Sequence, residues 1–208
     1  MTTQTPRGDT RARILDVAME LFAEHGYEKT SLREIADRLG VTKAALYYHF
    51  RTKEDILAGI VDSMSAPIED AIAWGEQQEY SPALRDEIVR RFAEGMAGRQ
   101  PLLRFFHENQ PTIRELAVGS RFKERMMALT RLMQGPEPTF EDRVRAAISL
   151  MAINVTQFIA EACAEDPAPA GPELPGELER REIALRVALD IAERIGKPST
   201  GAGAGPAQ

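Results

Sequence analysis

The 208-residue chain holds a single cysteine, Cys163, and a single tryptophan, Trp74, and only 6% of its residues are aromatic. One cysteine cannot close an internal disulfide, so no cross-linked scaffold is expected. With three histidines, His25, His49 and His107, no His/Cys set has metal-ligand spacing, and no Gly-rich loop is built to cradle a phosphate. Neither a metal nor a cofactor is expected. Catalysis needs a convergent nucleophile and base. The one pair that can be drawn, Cys163 with His107, puts the thiol in an apolar helical stretch, where inert packing is the simpler reading. An enzyme is therefore not expected. No apolar run approaches the roughly 20 residues that span a bilayer, and the N-terminus lacks the charged-then-apolar pattern of a secretion signal. A reducing, cytoplasmic setting follows as the expectation.

Apolar residues make up 43% of the chain, enough for a packed core. A net charge of −6 argues against nucleic acid for the chain as a whole, because phosphate binding is driven by Lys and Arg. The charge is unevenly spread, however. Residues 1–53 carry nine Lys or Arg against seven Asp or Glu, and between Arg38 and Lys53 the cations Arg38, Lys43, Arg51 and Lys53 face no acid at all. A locally basic surface on an acidic chain suits a small DNA-reading module joined to something else.

Almost every segment between punctuating residues has the 3.6-residue apolar period, so the expected fold class is all-α. A first helix from about Asp9 to His25 stops at Gly26. Ser31 opens a second, since Ser31-Leu32-Arg33-Glu34 has the form in which each side chain caps the other's backbone N–H; Gly40 ends it. Thr42 caps a short third helix through Tyr48, and Thr52, followed by Glu54 and Asp55, starts a long fourth. Pro67, Pro82, Pro101, Pro111, Gly119 and the Gly135–Pro138 cluster divide the middle into further helices. Two long helices, about Phe140 to Cys163 and Glu177 to Ile195, are joined by a Pro-rich link from Pro167 to Pro175. The tail after Gly196 offers nothing to bury and is expected to be disordered.

Residues 31–50 meet the needs of a helix-turn-helix. Ala36 allows close helix contact, Gly40 can take positive φ in the turn, and Ile35, Leu39, Val41, Leu46 and Phe50 are the apolar cement. Lys43, Ala44, Tyr47, Tyr48 and His49 remain for the outward face of the second helix. Helical aromatics more often pack inside, but Leu46 and Phe50 already fill the inward positions, so at least one of Tyr47 and Tyr48 must be a surface ring.

Thr30-Ser31-Leu32-Arg33-Glu34-Ile35-Ala36, then Leu39-Gly40-Val41-Thr42-Lys43-Ala44-Ala45-Leu46-Tyr47-Tyr48-His49-Phe50, then Lys53-Glu54, closely resembles the DNA-binding domain of the TetR family, over about Thr10 to Ile60. The resemblance implies a three-helix DNA-binding domain over residues 1–60, a helical ligand-binding and dimerisation domain over 61–196, and a tail over 197–208. It implies phosphate contacts for Thr42, Lys43, Tyr47, Tyr48 and Lys53, and positions at or near base edges for Arg33, Ala44, Ala45 and His49, with Ser31 in the same DNA-binding set. It also implies a homodimer through the last two helices, and a repressor released from a palindromic operator by a small molecule.

The remaining residues lend partial support. Ala147, Met151, Asn154 and Phe158 share one face of the 140–163 helix, while Ile148, Ala152, Val155, Ile159 and Ala162 share another, as a helix buried on two sides requires. In the last helix Leu185, Ala188, Leu189, Ala192 and Ile195 make a broad apolar stripe. Trp74, Phe92, Met96, Met127 and their neighbours form a Met- and aromatic-rich set in which Phe105, Phe106, Phe122, Met126, Met151, Asn154 and Phe158 are the candidate lining of an apolar ligand site; ordinary core packing is the other reading. His107, Asn109, Asn154 and Gln157 are its candidate polar handles. The competing functional reading is a helical ligand-binding or protein-interaction module without operator-specific DNA binding.

Overall fold

The computed structural model describes residues 7–165 and 175–197. Among them every regular element is helical: α1 (Arg7–His25), α2 (Leu32–Leu39), α3 (Lys43–His49), α4 (Lys53–Gly75), α5 (Pro82–Met96), α6 (Gln100–Glu108), α7 (Gln110–Glu115), α8 (Ala117–Leu132), α9 (Phe140–Glu165) and α10 (Glu177–Ala192). The chain is all-α. The link from Pro167 and the tail beyond Lys197 lie outside the described residues, as do the side chains of His107, Gln157, Phe158 and Cys163.

Two punctuation marks act differently from the expectation. Pro67 does not end α4; it lies inside the helix. Proline removes one N–H and so orphans the carbonyl four residues earlier, which belongs to Ser63. That carbonyl instead accepts a hydrogen bond from Arg99 Nη1 at 2.8 Å, while Ser65 Oγ donates to the Val61 carbonyl at 3.0 Å. The lost bond is thus replaced, and the helix continues. Gly119 likewise lies within α8, the break falling at Leu116. A Cβ at Gly119 would sit 2.1 Å from the Ile113 carbonyl oxygen, so this glycine is needed for the close approach of α7 to α8 rather than to stop a helix.

The described residues form two compact units. The first runs to Ala66 and takes in Gly98–Arg125; the second comprises Pro67–Ala97 and the residues from Met126 on. Residues 98–125 join the helix-turn-helix because α6 to α8 supply Leu102, Phe105, Ile113 and Val118 to the core built by Ile14, Leu21, Phe22, Ile35, Leu46, Ile56 and Ile60. Pattern within 98–125 says only that the segment is helical and amphipathic, not which face of which unit it covers.

In the second unit α10 returns antiparallel along α9. Ala184, Ala188 and Ala192, one turn apart, are the buried stripe, and Ser149 Oγ donates to the Ala188 carbonyl at 2.9 Å. At the other end Asp142 is a hub. Its Oδ2 accepts the Thr139 N–H at 3.0 Å while Thr139 Oγ1 accepts the Asp142 N–H at 3.1 Å, a reciprocal cap for α9, and its Oδ1 accepts the Gly196 N–H at 2.8 Å. The Gly196 bond, the Thr139 bonds and nearby Arg145 hold the carboxyl below its ordinary range despite burial. A depressed folded-state pKa stabilises the fold above the unfolded pKa of about 4 and loses that contribution as pH falls through the folded value. Thermal unfolding from pH 6 to pH 2 should therefore show a steeper acid decline for the wild type than for Asp142→Asn, the curves converging in acid. Parallel curves would remove Asp142 from the acid response.

Candidate nucleic-acid interface

Local rules place α3. Ser31, in extended conformation, accepts the Glu34 N–H at 3.2 Å and starts α2. The Glu34 carboxylate meets His25 Nδ1 at 2.7 Å. Buried Thr30 donates to the carbonyls of Leu21 at 3.2 Å and Gly26 at 2.9 Å, tying the end of α1 to the start of α2. Gly40 takes φ 68°, a left-handed conformation that a side chain disfavours, and the Val41 N–H then reaches the Ala36 carbonyl at 3.1 Å. Thr42 Oγ1 accepts the Ala45 N–H at 3.2 Å and starts α3.

Ile35, Ala36, Leu46 and Phe50 are buried between the two helices and the core, whereas Thr42, Lys43, Ala44, Ala45, Tyr47 and Tyr48 are exposed. Both tyrosines point outward, not merely one: Tyr47 is 39% exposed and Tyr48 74%. A seven-residue helix has room for one inward ridge, and Leu46 with Phe50 one turn on occupies it. Lys43 Nζ lies 5.4 Å from the Tyr47 ring centre, and Tyr48 stands edge-on to half-buried His49 at 5.2 Å. Exposed Ser31 is engaged as the α2 cap, and exposed Arg33 lies 3.7 Å from Asp37.

The charge of this face is not what a count of cations gives. Arg38 is paired with Glu24 at 3.1 Å. Lys43 and Arg51, by contrast, have no carboxylate within ion-pair distance among the described residues, and both are exposed. Arg51 is absent from the expected set, although the acid-free run that singled out Lys43 and Lys53 contains it.

Lys53 is half-buried and tied to the protein's own backbone. Its Nζ donates to the carbonyls of Tyr27 at 2.7 Å and Glu28 at 3.2 Å and sits 4.3 Å from the centre of the Tyr27 ring. Burial, then Glu54 and Glu28, push the Tyr27 phenol up to about 12, so the ring beneath the ammonium stays neutral. Two of the three ammonium donors are thereby used on the α1–α2 turn, beside a reciprocal Thr52–Asp55 cap that starts α4.

The candidate ligand residues fall in both units. In the first, Phe106 and Phe122 meet at 4.7 Å and are half-buried, whereas Phe105 has no exposed surface and stacks on Phe22 at 5.8 Å. Phe105 is a core ring. In the second, Met126 and Asn154 are half-buried, and Asn154 Oδ1 is buried with no hydrogen-bond partner among the described residues. Met151 is 63% exposed and belongs to an outward stripe with Val144, Ile148, Val155 and Ile159, because it lies one helical turn from each of Ile148 and Val155. Ala152, expected on that stripe, is buried. Asn109 Nδ2 donates to the Phe105 carbonyl at 2.9 Å.

Residues 14–60 match the family model described as bacterial regulatory proteins, tetR family. The chain is 37% identical over 130 residues to the HTH-type transcriptional repressor KstR2 of Rhodococcus jostii, covering 58% of this chain and 61% of that relative. It is 47% identical over 58 residues to the HTH-type transcriptional regulator AcrR of Shigella flexneri, covering 28% of this chain and 27% of the relative. The crystal structure of a TetR/AcrR-family regulator from Thermobifida fusca matches over 92% of this chain and all of that one, with a TM-score of 0.54 and 26% identity. The chain is similar to TetR-family regulators. The family match spans the exposed α3 face and its supports from Ile14 to Ile60, the best-defined part of the candidate interface. The curated relatives are matched over 27% and 61% of their own lengths. Among the described residues no helix is long and apolar enough to cross a membrane.

Proposed function

We propose that the chain is a dimeric transcriptional regulator that reads a palindromic operator through α3. The observation that carries the proposal is the exposed face of α3: Lys43, Ala44, Ala45, Tyr47 and Tyr48, facing solvent with unneutralised Lys43 and Arg51 beside them. Cations and phenolic hydroxyls suit phosphates, and small side chains allow the helix to approach base edges in the major groove. Repression is supported by the similarity to a transcriptional repressor of Rhodococcus jostii. A DNA-reading role places the chain with its operator, in the cytoplasm.

The dimer is supported by the outward stripe of α9, which leaves five large apolar side chains in solvent where a monomer rarely exposes a contiguous patch. The effector is an apolar small molecule, supported by the half-buried Phe106–Phe122 pair of the first unit. To release DNA it must bind the DNA-incompetent arrangement more tightly, since equal affinity for both shifts nothing.

A gel shift with duplexes flanking the protein's own gene, followed by footprinting, tests the reading. Two protected half-sites about 34 to 36 Å apart, or a multiple of that spacing, are expected; a single half-site bound by monomer would exclude it. Lys43 and Lys53 should separate in a salt titration. Lys43→Ala is expected to weaken binding to every duplex and lower the salt slope by about one counterion. Lys53→Ala is expected to weaken binding at nearly unchanged slope, because two of its three ammonium donors are engaged by the Tyr27 and Glu28 carbonyls rather than by phosphate. Ala44→Leu should change which base pairs are preferred, by about 1 to 3 kcal/mol per pair.

A further inference from the structure

Three contacts in the first unit make one continuous train. Phe105 of α6 stacks on Phe22 of α1 with ring centres 5.8 Å apart and planes at 23°. Phe22 meets Tyr27 edge-on at 5.1 Å. Tyr27 in turn lies 4.3 Å beneath the Lys53 ammonium, which grips the carbonyls of Tyr27 and Glu28. By this path α6 reaches the α1–α2 turn and the first residue of α4 by way of α1.

Phe106 is the next residue along α6 and so projects about 100° away from Phe105. It is half-buried and meets Phe122 of α8 at 4.7 Å. One helix therefore turns one ring into the helix-turn-helix core and the next ring toward α8. Close-packed rings cannot move singly; turning α6 to displace Phe106 displaces Phe105, and its neighbours must follow.

We infer that the ring train Phe105–Phe22–Tyr27, ending on Lys53, is the route by which a displacement of α6 reaches the DNA-reading motif, acting on the α1–α2 turn rather than directly on α4. The turn matters because Thr30 and the Ser31 cap fix where α2 starts, and α2 carries α3. A direct route also exists in the structure: Arg99, just before α6, donates to the Ser63 carbonyl of α4 at 2.8 Å. The use of the train in regulation rests on the ligand-responsive reading above; its mechanical coupling does not.

Phe122→Trp, which crowds Phe106, is the probe in place of an effector. Hydrogen exchange of the amides at residues 26–34 is read in the intact chain, together with affinity for a duplex that the wild type selects from a random pool. Phe122→Trp is expected to accelerate that exchange at least tenfold and weaken duplex binding at least tenfold. In a Phe22→Leu background, which breaks the train but keeps the site apolar, the added effect should fall below threefold; in an Arg99→Gln background it should persist. Phe105→Met is the second break if Phe22→Leu fails to fold. An unchanged exchange in Phe122→Trp, an effect that survives both breaks, or one that vanishes with Arg99→Gln would overturn the inference. If the wild type selects no duplex, the proposed function fails while the exchange measurements still decide the train.

Discussion

Placing aspartate at both Ile148 and Met151 is expected to leave the subunit folded and yield a monomer with operator affinity reduced by at least about 100-fold. Both side chains are exposed, at 46% and 63%, so within one subunit the change removes little packing. Across a two-fold interface each chain would contribute two carboxylates, and burying an unpaired charge is penalised by several kcal/mol. The register of α9 against α10, fixed by Asp142 on Gly196 and Ser149 on Ala188, places exposed Leu178 level with Ile159 and Val187 level with Met151. The apolar surface thus continues across both helices, as a symmetric four-helix contact requires. Sedimentation and operator titration of the double variant decide the matter; a variant that remains dimeric would locate the interface elsewhere.

Gly119→Ala is expected to destabilise the chain by about 2 to 4 kcal/mol, the opposite of what helix propensity suggests. Alanine in a helix gains roughly 1 kcal/mol over glycine. Here its Cβ would lie 2.1 Å from the Ile113 oxygen, 2.9 Å from the Ile113 carbonyl carbon and 3.1 Å from the Arg114 Cα. All three are backbone atoms, so no rotamer change can yield and the α7–α8 junction must move. Chemical denaturation measures the loss, and an unchanged midpoint would show that the junction relaxes freely. Because α7 and α8 supply Ile113 and Val118 to the core that holds α1 to α3, the helix-turn-helix should lose stability with them.

The helix-turn-helix was legible because its rules are local. Ser31, Gly40 and Thr42 act within four residues of themselves, through caps and a positive φ, and the structure shows each doing so. The inward positions of Leu46 and Phe50 follow from helical period alone. Asp142 was missed, although Thr139-Phe140-Glu141-Asp142 has the spacing of a reciprocal cap; that signal lay in the sequence, in the shadow of the Pro-rich cluster before it.

Other features depend on partners remote in sequence. Pro67 could be tolerated inside α4 only because Arg99, 36 residues away, takes the orphaned Ser63 carbonyl. Phe105 and Phe106 are equivalent to any composition argument, yet one is sealed into the helix-turn-helix core and the other is paired with Phe122. Lys53 reads as a surface cation until Tyr27 and Glu28 are brought beneath it.

The sequence by itself determined the helical fold, the helix-turn-helix and the residues that its second helix presents, since period, caps and turn chemistry act over one or two turns of chain. Tertiary structure alone decided which cations remain unpaired at the surface, which aromatic rings are core and which helical breaks are real. Those outcomes depend on which carbonyl, ring or carboxylate arrives from a distant segment, and no local pattern carries that information.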